Sequence, residues 1–251
     1  MAQTVVVTAS AGAFPGLAEA LEALGGTIDE IPLLSFAAPL DWGPVDAAVR
    51  ELGRYEAVVF TSPRSAQVLR ERAAGLPPEN PVAAGPHPAV WVAGRATERA
   101  LGNALGPVQL PDERLTDQRG AAAALVAALT AAGLRGPVLF PCGDLRRDEL
   151  PARLRECGVV VEEVVCYRSV LAGEDEARRA AARADVLVVA SPSVAGLLAR
   201  ACPPGERPAL VAVGPTTADA ARALGWPPAS VATSPTAQSL AAAVATLLTP
   251  G

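Results

Sequence analysis

The sequence contains no lysine, and all 21 of its basic residues are arginine. Catalysis through a lysine Schiff base, with a carbonyl substrate or with pyridoxal phosphate, is therefore excluded. The single histidine, His87, stands between prolines in AAGPHPAV, and no G-x-S-x-G motif offers it a serine nucleophile. A Ser-His-Asp triad is not predicted, and we assign His87 no role.

Metal and nucleotide sites also lack their usual motifs. The four cysteines show no C-x-x-C spacing, which is typical of thiols in a reducing compartment rather than of disulfides or a zinc site. Neither a Walker A motif nor G-x-G-x-x-G occurs. The net charge of −5 disfavours a nucleic-acid partner, and MAQTVVVTAS fits neither a signal peptide nor a membrane span. We therefore expect a cytoplasmic protein without a cofactor, a nucleic-acid partner or a membrane partner.

What the sequence does contain is a regular alternation of short apolar runs with alanine- and leucine-rich amphipathic segments. This βαβα pattern is typical of a parallel sheet covered by helices, and 251 residues are enough for two domains. The clearest candidate strands are Val5–Thr8, Ala57–Thr61, Val90–Ala93, Val138–Phe140, Val186–Ala190 and Leu210–Val213, and weaker ones lie near Ile31–Phe36, Val108–Leu110, Val159–Val170 and Val231–Thr233.

The second half of the sequence repeats the first in three blocks. VVVTAS, which precedes Leu17, Leu21 and Gly25, is echoed at one fixed offset by VLFPCG, which precedes Leu150, Leu154 and Gly158. VVFTSPRSAQVL is echoed by LVVASPSVAGLL, and WVAGRATERAL by VAVGPTTADAA. Because the blocks keep their order, we predict an α/β protein of two similar lobes, each a five-stranded parallel sheet flanked by helices.

Small and hydroxyl residues follow several of these strands, in Thr61-Ser62-Pro63, Ser191-Pro192-Ser193 and Gly214-Pro215-Thr216-Thr217. A capping residue followed by proline leaves backbone N–H groups at the carboxyl edge of the sheet. Open α/β sheets bind ligands at that edge, and helix N-termini favour anions there. Each motif alone is an ordinary helix start. Together, across both lobes, they predict a cleft for an anionic ligand without selecting a reaction.

The same motifs, in the same order, resemble the uroporphyrinogen-III synthase family over nearly the whole chain. GPTTA and the tyrosine of VVCYRSV are the most specific of them. The resemblance rests on Thr61 and Ser62, Gly94 and Thr97 in VAGRATERAL, Gly143 and Arg147 in VLFPCGDLRRDELPARLRECG, Tyr167, Ser191 and Ser193, and Gly214, Thr216 and Thr217.

This resemblance implies a particular division of the chain. Lobe 1 is expected from 1–34 and 171–251, lobe 2 from 41–160, and a two-stranded linker from 31–40 and 161–170. An exchange of first strands would then explain why the sequence repeat and the lobes do not coincide. We expect a monomer, because the sequence has no long apolar heptad seam.

The resemblance also implies an activity. The family cyclises hydroxymethylbilane to uroporphyrinogen III in the cleft between the lobes, through a spirocyclic intermediate, with loss of water, inversion of ring D and no cofactor. Tyr167 is the candidate catalytic residue, and the alternative for it is a linker residue with a packed ring. The candidate substrate-binding residues are Thr61, Ser62, Arg64, Gly94, Thr97, Gly143, Arg147, Ser191, Ser193, Gly214, Thr216 and Thr217. The alternative is a non-enzymatic two-lobed ligand-binding or regulatory module.

Overall fold

The computed structural model of the protein describes residues 3–10, 12–75, 87–114 and 120–248. The chain divides into a first unit, Met1–Ser35 with Val170–Gly251, and a second unit, Phe36–Ser169. Residues 76–86 and 115–119 of the expected lobe 2, and 1–2, 11 and 249–251 of the expected lobe 1, lie outside the described residues.

The described elements alternate between strands and helices through most of the chain. The strands are β1 (Thr4–Val7), β2 (Thr27–Glu30), β3 (Leu34–Ala37), β4 (Ala57–Phe60), β5 (Ala89–Val92), β6 (Val108–Gln109), β7 (Val138–Gly143), β8 (Val161–Leu171), β9 (Val186–Val189), β10 (Ala209–Ala212) and β11 (Ser230–Val231). The α-helices are α1 (Leu17–Glu22), α2 (Gly43–Arg50), α3 (Pro63–Gly75), α4 (Arg95–Leu101), α5 (Ala121–Ala131), α6 (Glu149–Glu156), α7 (Glu174–Ala182), α8 (Pro192–Ala201), α9 (Pro215–Ala223) and α10 (Ala237–Ala245).

The first unit contains a parallel sheet of five strands in the order β11-β10-β9-β1-β2. Its central strands read as unbroken apolar runs because helices cover both faces of the sheet. Along β9, Val186 and Val188 pack into one apolar cluster, whereas Leu187 and Val189 pack into another. The two clusters therefore lie on opposite faces of the sheet, as the alternation of side chains along a strand requires.

The second unit contains a sheet of six strands, β3-β8-β7-β4-β5-β6, so the prediction of five strands is wrong by one. The pairs from β8 to β6 are parallel and supply the expected five. The sixth strand is β3, at the edge beside β8. The weak strand predicted near Ile31–Phe36 overlaps β3, whereas β2 was not predicted. The polar TIDE of β2 forms an edge strand, and Pro32 separates it from β3.

Each sheet combines strands from both halves of the sequence repeat. The first takes β1 and β2 from the first half and β9 to β11 from the second. The second takes β4 to β6 from the first half and β7 and β8 from the second. The orders β2-β1-β9-β10-β11 and β8-β7-β4-β5-β6 are therefore equivalent, with the first two strands exchanged between the units.

Three helices that follow strands begin at a proline, as the sequence predicts. Helices α3, α8 and α9 start at Pro63, Pro192 and Pro215. At α8 the hydroxyl of Ser191 accepts the N–H of Ser193 at 3.2 Å, which satisfies one of the free donors of the first turn. No helix within the described ranges is long and apolar enough to cross a membrane.

Candidate functional site

The second unit has a cavity of about 480 Å³ at the carboxyl ends of β4 and β7 and the start of α5. The carboxyl edge of a parallel sheet is where open α/β folds place their ligand sites. The cavity brings together five of the residues that the sequence singled out, namely Thr61, Ser62, Gly143, Arg147 and Tyr167.

Tyr167 reaches this cavity because of an irregularity in β8. Cys142 of β7 pairs with Val165, but the next residue, Gly143, pairs with Tyr167. Cys166 is therefore an extra residue, and such a bulge re-aims the side chains that follow it. Cys166 is buried, and the half-buried Tyr167 packs against the same apolar cluster while its ring lines the cavity.

Several contacts fix the phenol of Tyr167. Its oxygen lies 3.3 Å from Oγ of Ser62, and either hydroxyl can donate to the other. The ring meets that of Phe36 edge to face, with the centroids 5.5 Å apart. Gly143 is buried and its backbone lies against the ring. The phenol is thus held by neighbours from three different strands or strand ends.

Asp144 holds the backbone on both sides of Tyr167. Its N–H donates to the carbonyl of Tyr167 at 3.1 Å, and its carboxylate accepts the N–H of Ser169 at 2.8 Å. The same carboxylate oxygen accepts the N–H of Leu145 at 3.0 Å. Sequence reasoning missed Asp144 and Phe36, because neither belongs to a motif that would reveal a contact with a distant tyrosine.

Two adjacent arginines at the cavity have different environments. Arg146 forms an ion pair with Glu163, which also accepts a hydrogen bond from Arg155 at 2.6 Å. Arg146, and then Arg155, hold the pKa of Glu163 below its usual range although burial opposes this. Arg147 is exposed and makes no ion pair in the part of the chain that the structure describes. Arg147 is therefore the cation that an anionic ligand can reach without displacing a carboxylate.

A second cavity, of about 400 Å³, also has Tyr167 in its lining. There the guanidinium of Arg64 lies over the ring of Phe36, 4.0 Å from its centroid. Arg72, in the same cavity, is paired with Asp46 by two hydrogen bonds. Arg64 has no carboxylate partner among the described residues, so it too can bind an anion.

Cys142 lines the first cavity but is not prepared for nucleophilic chemistry. Burial raises the pKa of its thiol to about 11, so the group is protonated at neutral pH. Its sulfur lies 3.6 Å from the carbonyl oxygen of Val164, to which the thiol donates. The residue therefore contributes packing to the cavity.

The other candidate residues lie outside the lining of these two cavities. Gly94 and Thr97 stand at the start of α4 in the second unit, where Thr97 is only 3% exposed. The remaining candidates belong to the first unit. They lie at the starts of α8 and α9, which follow the adjacent strands β9 and β10, and they are Ser191, Ser193, Gly214, Thr216 and Thr217.

Known proteins resemble the chain along nearly its whole length. A family model described as uroporphyrinogen-III synthase HemD matches residues 16–242. A mutant uroporphyrinogen III synthase from the extremely thermophilic bacterium Thermus thermophilus is 20% identical, covers 98% of each chain and gives a TM-score of 0.65. The synthetase from Helicobacter pylori is 17% identical, covers 98% of this chain and 100% of its own, and gives 0.66. At these identities the solved structures support the fold.

Proposed function

Since the chain belongs to the uroporphyrinogen-III synthase HemD family, we propose that the cavity of its second unit holds the centre that cyclises hydroxymethylbilane. The protein is an enzyme of heme biosynthesis with a tetrapyrrole substrate, which it converts to uroporphyrinogen III with inversion of ring D. Because the reaction expels water and needs no second substrate, we place it among the cyclising hydro-lyases.

The chemistry requires little from catalytic side chains. A pyrrole nitrogen pushes electrons toward the hydroxymethyl carbon, the C–O bond breaks, and an azafulvene cation remains. The free substrate closes unaided to the wrong isomer, so the enzyme must mainly impose a geometry on the chain of rings. The departing oxygen takes a hydrogen bond or a proton from the phenol of Tyr167, which lines the cavity and is oriented by Ser62.

The substrate carries many carboxylates, whereas the protein has a net charge of −5. Local cations must therefore bind it. Arg147 in the first cavity and Arg64 in the second have no carboxylate partner among the described residues, and Tyr167 lines both cavities. We assign these arginines to substrate carboxylates, with Thr61 and the backbone of β7 as further hydrogen-bonding groups.

The other candidates complete the proposal from the starts of three helices. In the first unit, Ser191, Ser193, Gly214, Thr216 and Thr217 are assigned to substrate contact, largely through backbone N–H groups. Gly94 and Thr97 have the equivalent assignment at α4. The hydroxyl of Ser191 already caps its own helix, which leaves its side chain the least available of the set.

The observation that supports this function best is the phenol of Tyr167 beside an arginine without a carboxylate partner, in one cavity. The test is to add hydroxymethylbilane and to separate the uroporphyrin isomers after oxidation. Isomer III should dominate, and formation of isomer I alone would refute the function. The same yield is expected after exhaustive EDTA treatment, and a loss restored by one metal would contradict a cofactor-free reaction.

We propose a monomeric cytoplasmic enzyme with no nucleic-acid or membrane partner, supported by the acidic net charge and by cysteines that are free in the structure. Light scattering of the purified protein and fractionation of cells test these two points. Nothing in the structure or in its relatives favours the alternative of a non-enzymatic binding module.

A further inference from the structure

We infer that Gly143 is a positioning residue whose missing side chain leaves the space that the phenol of Tyr167 occupies. This inference rests on the proposed function, because its catalytic consequence requires Tyr167 to act on the substrate. A Cβ atom at position 143 would lie 2.6 Å from both Cε2 and Cζ of Tyr167 and 2.8 Å from its hydroxyl oxygen. These separations are far below van der Waals contact, so any side chain here must displace the ring.

The backbone at position 143 does not itself require glycine. Gly143 is not among the glycines with a positive φ, so an L-residue fits its main-chain conformation. It belongs to β7, and its register with Tyr167 is set by the bulge at Cys166. The hydrogen bonds of Asp144 to the backbone of Tyr167 and Ser169 hold the two strands together next to the ring. The side chain of Tyr167, rather than either strand, is therefore what must move.

The sequence repeat shows that the fold accepts a side chain at this place. In the first unit the residue equivalent to Gly143 is Ser10, and its hydroxyl donates to the carbonyl of Leu34 at 3.5 Å. Leu34 is the counterpart of Tyr167 at the same offset. The architecture thus tolerates serine opposite leucine, and it is the phenol that requires glycine in the second unit.

Displacement of the Tyr167 ring changes the orientation of its hydroxyl and leaves the protein folded. Tyr167 is half-buried and lines two cavities, so its ring has room to swing. Its hydroxyl lies 3.3 Å from Ser62, near the limit for a hydrogen bond, and a movement of about 1 Å would break that contact. A shift of this size at a reacting group is enough to slow a reaction by up to about 100-fold.

The kinetic test compares two Gly→Ala substitutions with similar crowding. Gly143→Ala meets Tyr167, whereas Gly136→Ala, just before the same strand, meets Oε2 of Glu56 at 2.8 Å. We expect Gly143→Ala to lower kcat about as much as Tyr167→Phe does, roughly 10- to 100-fold, with KM changed by less than about threefold. Gly136→Ala should keep the wild-type kcat, and in a Tyr167→Phe background Gly143→Ala should cost less than about threefold more.

NMR of the tyrosine rings tests, independently of activity, whether Gly143 determines the position of the Tyr167 ring. The chain has only two tyrosines, Tyr55 and Tyr167, so tyrosine that is isotope-labelled at Cζ alone gives two NMR signals, and Tyr167→Phe identifies one of them. Gly143→Ala should move the Tyr167 signal and leave that of Tyr55 in place. The inference would be overturned by a Tyr167 signal that does not move in Gly143→Ala. It would also be overturned if the fold-loss of kcat in the double variant equalled the product of the losses in Gly143→Ala and Tyr167→Phe. A wild-type protein that makes no isomer III would instead refute the proposed function, while the NMR signals still test the role of Gly143.

Discussion

The two units share a repeated strand and helix, and equivalent residues in them have the same burial and the same backbone conformation. Leu17 and Leu21 on α1 are buried, as are Leu150 and Leu154 on α6. Each helix is followed by a glycine with a φ of 79°, Gly25 in one unit and Gly158 in the other. Only glycine adopts this left-handed conformation without strain, and it ends the helix in both units. Residues that agree between the units are therefore explained by the fold.

The units differ where each has a cavity beside the carboxyl edge of its sheet. The first unit has a cavity of about 470 Å³ with Ala13 and Phe14 in its lining. At the equivalent places, the cavity of about 480 Å³ in the second unit has Arg146 and Arg147. Ser10 and Leu34 likewise stand where the second unit has Gly143 and Tyr167. The duplicated scaffold supplies the cavity, and among the residues that line the two cavities only those of the second unit include a phenol and cations.

The largest effect is expected when the side chain of Tyr167 is made apolar, as that of its counterpart Leu34 is. Tyr167→Phe keeps the ring and removes the hydroxyl, so turnover should fall by about 100-fold or less, because this leaving group departs readily by itself. Product affinity should change much less, since the lost contact acts mainly in the transition state. The measurement is the rate of isomer III formation beside product affinity.

Tyr55→Phe is the matched control for that variant. Tyr55 is 3% exposed, lies just before β4 and accepts a hydrogen bond from Arg54 at 2.7 Å. It does not line either cavity of the second unit described above. Its loss should reduce stability and leave turnover intact, whereas wild-type turnover in Tyr167→Phe would make Tyr167 a packing residue.

The next largest effect is expected from the positive charge of Arg147, whose counterpart in the first unit is the uncharged Phe14. Arg147→Gln should raise KM by roughly tenfold with little change in kcat, because a charge-assisted hydrogen bond to a carboxylate contributes about 1.5 kcal/mol or more. Arg179→Gln is the matched control, since Arg179 is exposed on α7 and, like Arg147, makes no ion pair among the described residues. An unchanged KM, or an equal rise in both variants, would remove Arg147 from substrate binding.

Much of the fold could be predicted because buried parallel strands have unbroken apolar sequences. The strands β4 and β9, for example, begin at the residues expected for them and end one residue early. The edge strand β2 was not predicted, because TIDE has half of its residues exposed and its sequence resembles that of a loop. A strand was expected near Ile31–Phe36, where β3 lies, but its place as the sixth strand of the second sheet was not predicted, because pairing between β3 and β8 depends on contacts far apart in the sequence.

The site was less predictable for the same reason. Motifs led to Tyr167, Ser62 and Gly143, but not to the close approach of the phenol to Gly143, which follows from a bulge at Cys166 that no local pattern reveals. The adjacent arginines 146 and 147 look alike in a sequence. Only the ion pair with Glu163, on another strand, distinguishes the neutralised one from the available one.

A smaller effect should appear in stability at acidic pH and should differ between Glu163 and its counterpart Glu30. The pKa of Glu163 is held down first by Arg146 and then by Arg155. A carboxyl with a lowered folded pKa stabilises the protein above its unfolded pKa of about 4.3, and this stabilisation is lost as the pH falls through the folded pKa. Glu163→Gln should therefore flatten the fall in free energy of unfolding below about pH 4.

Denaturant unfolding at several pH values measures this slope. Glu30→Gln is the control, because Glu30 is exposed on β2 and has no ion pair among the described residues. It should leave the slope unchanged. Equal slopes in wild type and Glu163→Gln would mean that the arginines around Glu163 contribute nothing to acid stability.

The smallest effect is expected at the threonines that the two units share. Thr97 and Thr217 occupy the first turns of α4 and α9, where they are 3% and 4% exposed. Because the positions agree between the units, most of their contribution belongs to the fold, and the proposed substrate contact of Thr217 should add little to it. Thr217→Val keeps the shape and removes the hydroxyl, so its turnover should fall by at most about threefold beyond that of Thr97→Val, a fraction of one buried hydrogen bond. The measurement is isomer III formation by both folded variants. Equal losses would mean that the hydroxyl of Thr217 contributes no more to turnover than that of Thr97, and complete inactivity of Thr217→Val would require a direct chemical role for its hydroxyl.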